Sequence, residues 1–200
     1  MDIYFATMNQ AKVQSIQKDL EPGGITVIQQ WIELSEPRSS DVQEIAKNKI
    51  AEAYAKIQKP TIVLDAGFYI QALNGFPRAF VNFTLETIGL EGILRLVEGK
   101  SRNCEFRDCL AYMDNKLKEP RFFLSSVKGK LSEKPIGVMQ NHLWSELGLI
   151  FIPEESNKTE AEMSHGEYME WRKLSREKNS TGRQLYKWLS ADANYPYLTA

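Results

Sequence analysis

Three observations predict an α/β fold in which a mixed β-sheet is flanked by helices. Short apolar, β-branched runs alternate with helical periods through the first half of the chain, as in "IYFAT", "ITVIQQW" and "TIVLD". Two strand-like runs, "NCEFRDCLAYMD" and "RFFLSSVKGKLS", flank the turn-rich "NKLKEP" and predict a hairpin. Strands separated by helices pair in parallel, and a hairpin adds antiparallel strands, so the sheet is mixed. The third observation is size. A chain of 200 residues with 42% hydrophobic content suits a single domain over 1–200, which two lobes could share.

The elements follow in order. Ile3 to Thr7 reads as a buried strand, and Val13, Ile16 and Leu20 then recur at helical spacing until Pro22 to Gly24 end the helix. Ile25 to Trp31 is a second strand, and Glu33 to Asp41 a polar loop. Ser40 or Asp41 caps a long helix, with Gln43 or Glu44 three residues on and Val42, Ala46, Ile50, Ala53 and Ile57 along one face. Thr61 to Asp65 is almost continuously apolar, as a strand buried on both faces should be. An Asn-Gly turn lies in "QALNGFP". Phe83 to Gly99 is helical but broken by glycines. After the hairpin, Gly148 to Pro153 is one more strand, and Glu167 to Ala191 is helical with an interruption near Asn179.

Charge narrows the function classes. Lys and Arg number 25 against 26 Asp and Glu, a net charge of -1. Nothing global draws this chain to nucleic acid or to an anionic membrane, so an anionic ligand needs a local basic pocket. The opening "MDIYFATMNQAK" does not read as a signal peptide, and no run approaches the roughly 20 apolar residues of a membrane helix. Cys104 and Cys109 are separated by an odd number of positions in a strand-like segment and face opposite ways. That argues against a disulfide between them and for a reducing cytoplasm.

Three places could carry chemistry. In "ATMNQAK" a strand gives way to a helix, where free N–H groups and the helix dipole favour an anion. Thr7 and Asn9 add side-chain donors and Lys12 adds charge, although a plain helix cap with a solvated lysine would read the same. Asp65 ends a buried strand. It is either a carboxylate capping a turn or a metal ligand or general base at the mouth of a cleft. Glu36, in the loop before the long helix, is its candidate partner, and two such carboxylates would suit Mg²⁺. In "LSREKNSTGRQL", Arg176, Lys178 and Arg183 surround a helix start at Ser180, as a binding cluster or as a solvated connector. Trp144, just before "GLIFIP", is kept as a candidate for stacking on a base; His142 and His165 read as isolated histidines.

Taken together, these segments resemble the inosine triphosphate pyrophosphatase family, the house-cleaning enzymes for noncanonical purine nucleoside triphosphates. The family's T-G-N-x-x-K turn is matched by Thr7, Met8, Asn9 and Lys12. Its loop glutamate and long helix are matched by "LSEPRSSDVQEIAKNKIAEA", with Glu36 and Lys49. Its E-D-T/S-G-L signature corresponds to "LDAGFYIQALNGFP", its F-x-P…T-A-E-M segment to "FIPEESNKTEAEM", and its Lys-Asn, S-H-R and G-[KR]-A-L to "EKNSTGRQL". The match runs in register over nearly the whole chain.

The resemblance implies an elongated α/β fold with two lobes around a central cleft, and a homodimer. It also implies Mg²⁺-dependent hydrolysis of a nucleoside triphosphate to the monophosphate and pyrophosphate. Thr7, Asn9 and Lys12 would hold the phosphates, Lys49 and Lys178 would add positive charge, and Glu36 and Asp65 would bind the metal or activate water. Lys12 and Asp65 would be the catalytic pair, with Trp144, Ser180 and Arg183 toward the nucleoside.

The sequence departs from the family pattern at named positions. Leu64 replaces the first acidic residue of E-D, Ala66 the Thr or Ser, and Met8 the glycine of the phosphate turn. "LWSELG" stands where an aromatic-Gly-aromatic-Asp element reads the base, and S-H-R is shortened to Ser180 and Thr181 with Arg183 nearby. The phosphate and metal end is kept while the base-reading end is rewritten. The alternative to a pyrophosphatase is therefore a catalytically weak nucleotide-binding or sensing protein of the same fold.

Overall fold

A computed structural model describes residues 1–35 and 37–191. Its strands are β1 (Asp2–Ala6), β2 (Thr26–Gln30), β3 (Thr61–Ile70), β4 (Pro77–Arg78), β5 (Asn103–Met113), β6 (Arg121–Leu131) and β7 (Phe151–Pro153). Its α-helices are α1 (Gln10–Leu20), α2 (Val42–Ile57), α3 (Val81–Thr87), α4 (Gly89–Leu96), α5 (His165–Asn179) and α6 (Thr181–Ala191). The strands form one mixed sheet in the order β2-β1-β3-β5-β6-β7, with β4 on β3. β1 pairs in parallel with β2 (Ile3 opposite Val27) and with β3 (Phe5 opposite Ile62), whereas β3–β4 and β6–β7 are antiparallel. The α/β class and the mixed sheet are as the alternation of periods predicted.

Local chemistry sets the element ends. Of the two candidate caps for α2, Asp41 does the work, its Oδ1 accepting from the Gln43 N–H at 2.8 Å. Val42, Ile45, Ala46, Ile50 and Ala53 are its buried stripe. The helical stretch after "QALNGFP" divides at Gly89, whose φ of 63° no side chain adopts cheaply, giving α3 and α4. The expected interruption near Asn179 falls at Ser180. Its Oγ accepts from the Arg183 N–H at 3.5 Å and its carbonyl from the Gln184 N–H at 3.0 Å, so a new helix starts there.

Two elements differ from expectation. Asp65 does not end its strand: β3 continues to Ile70, and Phe68 and Tyr69 pair with Arg78 and Pro77 of β4. Gly67 permits this, because a Cβ there would stand 2.8 Å from the Arg78 carbonyl oxygen. The strand expected over Gly148–Pro153 is reduced to β7. Residues Glu146–Leu149 instead wind into a 3₁₀ turn whose start is capped by Ser145 Oγ, which accepts from the Leu147 N–H.

The chain divides into two compact units, one from residues 1–65, 108–125 and 177 onward, the other from 66–107 and 126–176. The first has a core of Ile3, Phe5, Ile16, Leu20, Ile62, Leu110, Tyr112, Leu185 and Leu189. The second is centred on Phe68, Ile70, Ile93, Val97, Leu147 and Phe151. There Phe106 packs at 4.7 Å from Phe68 and 4.8 Å from Phe151. Among the described residues, no helix is long and apolar enough to cross a membrane.

Candidate functional site

The turn after β1 is built by its own polar side chains. Thr7 Oγ1 accepts from the Asn9 N–H at 3.1 Å, and Asn9 Oδ1 accepts from the Lys12 N–H at 3.2 Å, capping α1. Gln29 of β2 holds the Thr7 carbonyl at 3.0 Å. Lys12 therefore lies in the first turn of a helix, where the macrodipole disfavours a cation by a few tenths of a kcal/mol and favours an anion. Its ammonium reaches across to β3 and donates to the Leu64 carbonyl at 3.0 Å.

Asp65, next along β3, is met from α2. Lys49 Nζ lies 2.7 Å from Asp65 Oδ1, with side chains only 14% and 12% exposed. An ion pair this sheltered has lost most of its water and depends on good geometry. The compensation for Asp65 is thus Lys49. Two lysines from two helices converge on consecutive residues of one strand, with Thr7 and Asn9 on the turn that carries Lys12.

Further carboxylates surround this end of the unit. Burial pushes the Cys109 thiol up to about 12, and the negative charges of Asp65, Asp41 and Asp108 add to the effect. Asp41 was visible in the sequence only as a helix cap, and Asp108 only as one residue of a strand. Glu36 lies outside the described residues. Among the described residues no three His, Cys, Asp or Glu groups gather as a metal cluster. Mg²⁺ does not need one, because it takes one or two carboxylates and keeps several waters. Asp65 offers a hard carboxylate oxygen of the kind such an ion prefers, so this one described carboxylate fits it.

The C-terminal candidates attach elsewhere on the same unit. Lys178 is exposed on the last turn of α5. Ser180 Oγ donates a short hydrogen bond to Asp19 Oδ2, and Arg183 Nε approaches Asp19 Oδ1 at 3.6 Å. Asp19 is buried at the far end of α1 from Lys12. Arg183 also comes within 3.9 Å of Glu177. Asp19 was missed in the sequence, where "QKDL" reads as a polar helix end. Gly182 is what lets α6 close on it, since a Cβ there would meet Asp19 Oδ2 at 2.6 Å.

Trp144 belongs to the second unit. It is 42% exposed, and the Arg172 guanidinium lies 4.9 Å from its ring centroid. Nearby, Glu160 is pushed up to about 7 by burial, against the opposing pull of Arg172.

The fold and these groups define a mixed-sheet α/β protein with a lysine-bearing turn beside an ion-paired strand aspartate. The Ham1 family model matches residues 3–176. A dITP/XTP pyrophosphatase of Hyperthermus butylicus is 33% identical over 192 residues, 94% of each chain. One of Pyrococcus horikoshii is 30% identical over 197 residues, 98% of this chain and 100% of its own. The solved structure of a HAM1 protein from Coxiella burnetii superposes with a TM-score of 0.80 at 22% identity, covering 96% of this chain and 100% of that one. The Staphylococcus aureus Ham1 protein gives 0.72 at 21%, covering 96% and 97%. These two structures speak to the fold alone. The chain belongs to the Ham1 family.

Proposed function

We propose that this chain hydrolyses a nucleoside triphosphate to the monophosphate and pyrophosphate, with Mg²⁺ as cofactor. The observation that carries this reading is the convergence of Lys12 and Lys49 on Leu64 and Asp65, at 3.0 and 2.7 Å. Phosphoryl transfer asks a protein mainly to position the chain of phosphates and to neutralise charge. Lys12, Thr7 and Asn9 hold the phosphates at the start of α1, and Lys49 and Lys178 supplement the positive charge. Asp65, with Glu36, would hold the metal, which would supply charge neutralisation. Asp65 and Lys12 are the catalytic pair.

The chain is accordingly an enzyme, a hydrolase acting on acid anhydrides. Its relatives' names, dITP/XTP pyrophosphatase, make deaminated purine nucleotides the first substrates to try. Arg183 and Ser180 serve the nucleoside, and on the second unit Trp144 is the aromatic face for a base. The whole of 1–200 acts as one pyrophosphatase domain, working as a homodimer. Two free, buried cysteines support a cytoplasmic setting.

One observation favours a second reading. Leu64, 9% exposed, packs in the apolar core of the first unit at the position where the family pattern carries a further carboxylate. A nucleotide-binding or sensing protein with weak catalysis would tolerate that.

Pyrophosphate release from a panel of NTPs and dNTPs that includes dITP and XTP, with Mg²⁺ and with EDTA, separates the two. Turnover that needs Mg²⁺ and falls about 100-fold or more in Asp65→Asn and Lys12→Ala is expected of the enzyme. Binding without turnover selects the sensor. Undiminished turnover in Asp65→Asn removes that residue from the mechanism.

A further inference from the structure

We infer that Asp19 is a positioning residue, fixing Arg183 and Ser180 at a set distance from the phosphate turn. This rests on the pyrophosphatase reading and extends it to a residue outside the groups assigned above. Asp19 is 4% exposed, and a buried carboxylate persists only where donors compensate it. Its donors come from across the chain. Ser180 donates its hydroxyl to Oδ2, and Arg183 brings its guanidinium to Oδ1 at 3.6 Å. Gly182 stands between them because a Cβ there would lie 2.7 Å from the Asp19 Cβ. One carboxylate therefore meets Ser180, Gly182 and Arg183 around the start of α6.

The position of Asp19 on its helix gives this contact a use. Asn9 caps α1 and Lys12 lies in its first turn, while Asp19 lies in its last. Residues 12 and 19 are about 10 Å apart along the axis at 1.5 Å per residue. A regular helix does not stretch, so α1 acts as a ruler with the phosphate turn at one mark and Asp19 at the other. Arg183 is still 42% exposed. Asp19 meets the guanidinium at Nε and Glu177 approaches Nη2 at 3.9 Å, while the exposed remainder is left to a ligand.

The test compares two ligands that differ in how far they reach. An NTP spans the phosphate turn and the nucleoside groups, whereas inorganic tripolyphosphate, used as a competitive inhibitor, meets only the phosphate turn. In Asp19→Asn, which keeps the shape but drops the charge, the KM for the NTP rises about tenfold while kcat stays within about twofold. The inhibition constant of tripolyphosphate is unchanged. Asp19→Ser, which keeps a hydroxyl for Ser180 but drops the charge, shows the same split and serves if Asp19→Asn does not fold. Asp19→Asn combined with Arg183→Gln raises KM no further than Arg183→Gln alone, since both act through one guanidinium.

Equal shifts in KM and in tripolyphosphate inhibition mean that Asp19 only stabilises the fold, and overturn the inference. An unchanged KM in folded Asp19→Asn does the same. If the unaltered chain releases no pyrophosphate from any NTP, the pyrophosphatase reading fails first and takes this inference with it.

Discussion

Replacing Lys49 with methionine removes an ammonium 2.7 Å from Asp65 Oδ1 while keeping most of the side chain's apolar length. At that distance, and at the effective dielectric of about 20 that suits protein sites, the gross attraction is about 6 kcal/mol. Much of it is offset by the water both groups have lost. Breaking a fully buried pair costs about 3–5 kcal/mol. The residual exposure of 14% and 12%, and the further interactions of Asp65, scale the cost down, to about 2–3 kcal/mol. For a chain of this length that lowers Tm by roughly 5–10 °C. Thermal unfolding of Lys49→Met in EDTA measures it. On the proposed reading a cation on Asp65 would supply the charge the mutation removes, so excess Mg²⁺ is expected to recover more Tm in Lys49→Met than in the unaltered chain. An unchanged Tm in EDTA would show that the pair contributes nothing net. A Mg²⁺ response equal in both proteins would show that the ion does not bind at Asp65.

Three further outcomes are expected. Glu160 is held by burial at about 7 instead of its ordinary 4.5, so the folded state binds the extra proton between those values. The stability this lends is full below about pH 4.5 and is lost as pH rises through about 7. Glu160→Gln therefore matches the unaltered chain near pH 4.5 and exceeds it by roughly 1–2 kcal/mol at pH 8, as read from urea midpoints; parallel curves would remove Glu160 as the cause. Both cysteines are buried, with thiols pushed up by burial, so a thiol reagent titrates neither in the native protein and both in guanidinium; a native reaction would contradict the packing. Gly182→Ala gains about 1 kcal/mol of helix propensity but drives a methyl into Asp19, and a net loss of about 1–2 kcal/mol is expected from the overlap; a more stable variant would show that α6 can give way.

Local signals were the legible ones. The turn at Thr7–Lys12 was readable because its cap is a contact over three residues, Asn9 to Lys12. The same holds for Asp41 on α2 and for the break at Ser180. The alternation of strand and helix sufficed for the class of sheet. The length of β3 was not readable. Asp65 and Gly67 resemble a strand end, and only the approach of Arg78 explains why the strand continues. Lys49 could be placed by its helix but not aimed at Asp65 without the fold. Asp19 was invisible for the same reason in stronger form, since its Ser180 partner lies 161 residues away. Nothing within the "QKDL" stretch tells a solvated aspartate from a buried one.

The core that holds Ile3 and Phe5 also contains Leu185 and Leu189 of α6. On the ribosome, β1 must wait for α6, made about 175 residues later. The unit it belongs to is interrupted twice, by residues 66–107 and 126–176, which have their own core to close. The inserted unit can therefore complete during synthesis, while the unit bearing the lysines and Asp65 completes only after it. A nascent chain halted before α6 would expose the apolar side of β1, and a truncation there is a recipe for aggregation and not a smaller enzyme.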